Sequence, residues 1–143
     1  DDLLFLHDFQ PEMVGIGPFI PHKDTPFRDR PAGTLQMTLT LLSIIRLILP
    51  RVLLPATTAL GTIDPTGREQ GILAGANVVM PNLSPQNVRS KYLLYNDKIC
   101  TGDEAAESLS HLKQQMEGIG YRIVESRGDF KKGSNEVCMT SIQ

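Results

Sequence analysis

The stretch Leu54–Asn82, LPATTALGTIDPTGREQGILAGANVVMPN, constrains the fold more than any other part of the chain. An apolar run enters a Thr/Gly turn, a short helical pattern follows, and a second apolar run ends at Met80-Pro81-Asn82. Val14–Pro26, VGIGPFIPHKDTP, shows the same scheme of an apolar run that meets a turn bearing Gly, Pro, His and Thr. Short apolar strands alternating with helices imply βαβ units and a parallel sheet. In such folds the chemistry sits where the strands end.

The remaining pattern extends this scheme. DDLLFLHDF reads as a helix leading into a strand over Met13–Phe19, which a proline-bearing loop, Ile20–Gly33, then follows. Leu35, Leu39, Leu42, Ile45 and Leu49 recur at helical spacing, so a helix is expected from Thr34 as N-cap to Leu49, stopped by Pro50. Val52–Leu60 and Ala76–Met80 are expected strands. Asp64 is the expected cap of a short helix to Leu73, with Pro65 at its first position. A further helix is expected over Pro85–Leu93. Asp103 should cap another, whose stripe Leu109, Leu112, Met116 and Ile119 faces the core and which Gly118 and Gly120 stop. Tyr121–Val124 is a candidate short strand. Three firm strands with their helices match the C-terminal half of a (β/α)8 TIM-type barrel, about three to four βα units with a C-terminal helical extension. Residues 1–100 would form the half-barrel, and 101–143 the helix and polar tail.

Composition narrows the function classes. A content of 41% hydrophobic and 21% charged residues is that of a folded domain. A net charge of −2 gives no general electrostatic reason to bind nucleic acid or an anionic membrane. The run Leu39–Leu54 is broken by Arg46, Pro50 and Arg51 and is too short and charged to span a bilayer. Without a basic leader before the first apolar residues, a cytoplasmic protein with Cys100 and Cys138 as free thiols is expected. Arg68 and Glu69 read as a solvated pair, and Asp24-Thr25-Pro26 and Asp64-Pro65-Thr66-Gly67 as turns. Gly15-Ile16-Gly17 lacks the third glycine of a dinucleotide fingerprint, since Ile20 stands in its place.

GPFIPHKDTPF, PATTALGTIDPTGREQ, GANVVMPNLSP and YNDKIC, in this order and spacing, resemble the C-terminal half of the HydE family. These are the radical S-adenosylmethionine (SAM) maturases of [FeFe]-hydrogenase, relatives of biotin synthase and methylornithine synthase. The resemblance runs from about Glu12 to Asp103. It implies a barrel in which a [4Fe–4S] cluster on a CxxxCxxC loop cleaves SAM and the resulting radical attacks a small-molecule substrate, here an iron–cyanide–carbonyl precursor. Other hydrogenase maturases are the implied partners. That loop is absent here, and two widely separated cysteines cannot replace it, so this chain alone should neither hold the cluster nor cleave SAM. No residue of the chain is assigned as catalytic or as a metal ligand. The resemblance assigns Gly17, Phe19, Ile20, Pro21 and His22 to the rim around the SAM adenine. It assigns Thr57, Thr58, Met80, Tyr92 and Tyr95 to the substrate cavity. Hydroxyls can hold a polar or anionic ligand without adding charge. An accessory cluster found in some members uses three cysteines. The first aligns with Cys100, but Ser108 and His111 stand at the other two positions, so that cluster is not expected.

Two alternatives remain: a methylornithine-synthase-like or biotin-synthase-like enzyme, and a non-catalytic half-barrel used for binding or assembly. The paired threonines of LPATTALGT speak against the mutase. A half-barrel alone has open sheet edges, so a homodimer is expected if it is stable by itself.

Overall fold

In the computed structural model, residues 1–81, 85, 87, 91, 94–99, 105–124 and 128–130 are described. Helix α1 (Asp2–Phe9) leads into an extended segment, and α2 (Leu35–Ile48) returns the chain to strand β1 (Pro55–Ala56). Two short helices follow, α3 (Thr58–Ile63) and α4 (Gly67–Leu73), then strand β2 (Val78–Val79) and helix α5 (Ala105–Gly118). β1 pairs with β2 in parallel, Pro55 opposite Val78 and Ala56 opposite Val79. On the other side of β1 a single parallel bridge joins Met13 to Leu53. The three expected apolar runs therefore lie side by side and parallel, as a mixed helix/strand fragment with a short sheet.

The strands are much shorter than their apolar runs. Of Met13–Phe19 only Met13 pairs, through Val14 N–H to Leu53 C=O and Leu53 N–H to Glu12 C=O. The chain then leaves β1, and Val14 and Pro18 stay buried while Gly15, Gly17 and Phe19 are exposed. Val52–Leu60 holds two paired strand residues and then turns into α3, because the Thr57 carbonyl already accepts from Leu60 N–H. Asp64 does not cap α4. Its carboxylate accepts from Thr66 N–H and Oγ1 across a tight turn, and the helix begins at Gly67.

Helix α2 forms as its sequence implies. Thr34 Oγ1 accepts from Met37 N–H at 3.2 Å, and the helix ends at Ile48, before Leu49 and Pro50. Leu42 and Ile45 are fully buried, joined by Leu49, Val52, Leu54, Ala56, Leu60 and Ile72. Arg46 ties α2 to the end of α4 by donating Nε to Gly75 C=O at 2.7 Å, and one Nη donates to Pro50 C=O at 2.9 Å. Leu112 and Met116 of α5 enter the same core. The end of α5 is a left-handed cap: Gly120 has φ 81°, its N–H meets Glu117 C=O, and Tyr121 N–H meets Met116 C=O. The expected Tyr121–Val124 strand is therefore the exit from that cap and has no sheet partner among the described residues. The Pro85–Leu93 helix falls largely outside the described residues, as do Asp103, Cys100 and Cys138. Among the described residues, no helix is long and apolar enough to cross a membrane.

Candidate functional site

The end of β1 is built around one close approach. A Cβ on Gly17 would sit 2.9 Å from Thr57 Oγ1, so any side chain there would have to displace this hydroxyl. Thr57 Oγ1 is buried and has no hydrogen-bond partner among the described residues. It precedes α3 at φ −73° and ψ 159°, yet its side chain caps nothing. A buried hydroxyl left unpaired costs about 1–3 kcal/mol. Thr58 is the first residue of α3, half-buried, and its carbonyl accepts from Thr62 Oγ1 at 3.1 Å. The pair expected on a strand thus sits at a strand-to-helix turn. Met80 follows Val79 as Thr57 follows Ala56 in the paired strands, and it is 53% exposed.

The rim is an extended segment followed by a tight turn. Among the described residues the N–H groups of Gly15, Ile16, Gly17, Phe19 and Ile20 make no hydrogen bond, leaving backbone donors for a partner outside these residues. Phe19 C=O accepts from Gly33 N–H at 2.8 Å, which closes the loop between them. The Phe19 ring meets Phe27 edge-on with centroids 6.4 Å apart. Pro21 C=O accepts from Asn96 N–H at 3.1 Å, and Asn96 Oδ1 accepts from Lys23 N–H at 3.2 Å. This clasp brings the rim beside Tyr95, whose ring lies 6.0 Å from Lys98 Nζ.

His22 is a turn-builder. Its Nδ1 accepts from Asp24 N–H at 3.1 Å, and its carbonyl accepts from Thr25 N–H and Oγ1. Gly17 and Thr57 therefore touch, and Pro21 and the Tyr95–Asn96 turn are joined. Tyr92 lies outside the described residues.

Three residues have places here that the sequence reading did not give them. Asn96 carries the clasp. Asn77 holds the β1–β2 register, its Oδ1 accepting from Leu54 N–H at 2.8 Å while its own N–H donates to Leu54 C=O. Arg68, expected in solvent beside Glu69, is only 6% exposed. It lines a cavity of about 360 Å³ together with Thr62, Ser108, His111 and Gln115. An asparagine immediately before an apolar run was a readable signal for Asn77. Arg68 had none, because α5, which covers it, lies far along the chain.

No protein-family model matches the chain. Against curated proteins, it is 45% identical to the [FeFe] hydrogenase maturase subunit HydE of Thermotoga maritima over 132 residues, 92% of this chain and 38% of that protein. It is 36% identical to the 3-methylornithine synthase of Methanosarcina barkeri over 124 residues, covering 85% of this chain and 33% of that protein. The Methanosarcina acetivorans enzyme of the same name is 28% identical over 110 residues, 77% of this chain and 30% of that protein. The chain thus spans well under half the length of the curated relatives it matches. It is similar to these three proteins over 77–92% of its own length. The 45% identity to HydE agrees with the resemblance carried by PATTALGT and ANVVMPN.

Proposed function

We propose that this chain supplies the C-terminal half of a HydE-like (β/α)8 barrel, with residues 1–100 as the half-barrel and 101–143 flanking it. Gly17–His22 form the SAM-adenine rim, and Thr57, Thr58, Met80, Tyr92 and Tyr95 form the substrate-cavity wall. The observation that carries the reading is the buried Thr57 hydroxyl, without a partner among the described residues and held against Gly17, at the strand end where such barrels do their chemistry. The backbone N–H groups of Gly15, Ile16, Gly17, Phe19 and Ile20, without a hydrogen-bond partner among the described residues, suit a ligand edge recognised through main chain. Two cysteines do not suit a [4Fe–4S] cluster, whose ligands must come from other residues of the whole enzyme. When bound there, SAM supplies the radical chemistry, while this chain orients its adenine and excludes water. The small-molecule substrate is an iron–cyanide–carbonyl precursor in hydrogenase maturation, handled alongside other maturases in the cytoplasm.

The test uses the full-length protein with its cluster loop. It should cleave SAM to deoxyadenosine, and replacing Thr57 and Thr58 by Val should lower substrate turnover by about tenfold or more while SAM binding holds. Equal loss of both would overturn the cavity assignment. Conversion of lysine to methylornithine would overturn the substrate assignment.

A further inference from the structure

The turn over residues 94–99 is tied to two distant parts of the chain. At one end Asn96 N–H donates to Pro21 C=O at 3.1 Å, and Asn96 Oδ1 accepts from Lys23 N–H at 3.2 Å. At the other, Ile99 N–H donates to Thr62 Oγ1 at 3.4 Å in α3. Ile99 Cδ1 also covers Gly61, where a Cβ would meet it at 2.7 Å. Asp97 turns the chain between these anchors at φ 55°, a left-handed conformation that aspartate tolerates. We propose that Asn96 is a positioning residue for the SAM-adenine rim, its side-chain amide fixing the peptide units on either side of His22. This rests on the rim assignment made under the proposed function.

The hydrogen-bond pattern says why an asparagine stands there. In a parallel ladder a residue donates to the carbonyl one place before its opposite number and accepts, on its own carbonyl, from the N–H one place after it. Asn96 makes that pair of bonds across from His22, with Oδ1 in place of its own carbonyl. Aspartate would keep the acceptor at the same reach, alanine and leucine would lose it, and glutamine would carry it one carbon farther.

The consequence falls on the rim backbone. Phe19 C=O is held by Gly33 N–H, and Pro21 C=O and Lys23 N–H are held by Asn96. The N–H groups of Phe19 and Ile20, between these anchors, make no hydrogen bond among the described residues. A backbone edge binds a ligand more tightly when its orientation is settled beforehand, because less freedom is lost on binding. Asn96 settles it here, and the same turn carries half-buried Tyr95 of the proposed cavity wall.

The test has two readouts. In the present chain, ¹⁵N-labelled, Asn96→Ala should speed hydrogen exchange of the Lys23 amide about fivefold or more. Asn96→Asp should keep it near the parent value, and the Val14 amide should be unchanged in both. In the full-length protein with its cluster loop, Asn96→Ala should raise the Kd for SAM about fivefold or more, and Asn96→Asp should restore it. Deoxyadenosine formation at saturating SAM should change by no more than about twofold. A parent that binds SAM with a Kd indifferent to Asn96→Ala would overturn the Asn96 inference alone, as would Lys23 exchange that does not respond. Equal loss of affinity and saturated rate, without rescue by Asp, would make the role structural and overturn it too. A parent that binds no SAM would overturn the rim assignment, and this inference with it.

Discussion

Leu54 and Thr57 lie within one turn of each other on the same run of chain, and the structure treats them in opposite ways. Leu54 is fully buried, and both of its backbone groups are engaged by Asn77, its carbonyl by Val78 as well. Among the described residues, the buried Thr57 hydroxyl has no partner, and the segment opposite it has a row of N–H groups that make no hydrogen bond. One end of the strand is saturated with internal contacts, and the other, among the described residues, is left under-satisfied. Stability and binding capacity are therefore separable along a few residues, and substitutions should separate them too.

The largest expected effect is at the saturated end. Leu54→Ala should destabilise the chain by about 2–5 kcal/mol through lost burial and a residual cavity, read from the urea midpoint. Phe5→Ala, on the exposed face of α1 where Phe5 is 63% exposed, should cost far less. Similar losses at both positions would mean that the Leu54 cluster is not the core of the chain.

Gly17→Ala comes next, because its new Cβ would press on Thr57 Oγ1. It should cost about 1–3 kcal/mol. Adding Thr57→Ala should recover much of that loss, since the oxygen at fault is gone. A double-mutant cycle with no coupling beyond about 0.5 kcal/mol would break the claim that these residues meet.

Much of this architecture was legible from spacing alone. The α2 stripe, its Thr34 cap and Pro50 stop, and the α5 stripe with its glycine end were all readable, because local chemistry decides them. The three parallel runs were readable as apolar segments, but their lengths were not. ATTAL carries β-branched residues that suit a strand, yet the chain turns into α3 once Leu60 N–H finds the Thr57 carbonyl. Asp64-Pro65 fits a helix cap in sequence, but the carboxylate is taken by Thr66 first. Arg68 read as surface because its cover, α5, joins it only through tertiary packing. The two partners of the Gly17–Thr57 contact were each singled out, but their contact could not be read from a linear pattern.

Thr57→Val sharpens the comparison from its other side. It keeps the shape and removes the orphan hydroxyl, so the stability of this chain should stay within about 1 kcal/mol and tend upward. On the proposed function, the same change in the full-length protein should lower turnover. A marked loss of stability would mean that the hydroxyl serves the fold, and the under-satisfied end of the strand would lose its functional meaning.

The smallest effect concerns the turn between α3 and α4, which belongs to neither end of the strand. Hydrogen bonds from the Thr66 hydroxyl, and then from its backbone N–H, hold the Asp64 carboxyl below its ordinary value of 3.8. A carboxyl with a lowered folded-state pKa stabilises the fold above its ordinary value, and that contribution fades as pH falls through the lowered one. Stability should therefore decline below about pH 4 in the parent chain, with part of the decline due to Asp64. Asp64→Asn should leave stability near neutral pH almost unchanged, because the side chain is exposed to solvent and an amide oxygen can still accept from Thr66. It should also make the acid limb of the urea-midpoint profile shallower. An identical acid limb in both proteins would mean that the turn holds its shape without the charge, and that α4 is positioned by its packing on Leu60 and Ala56 alone.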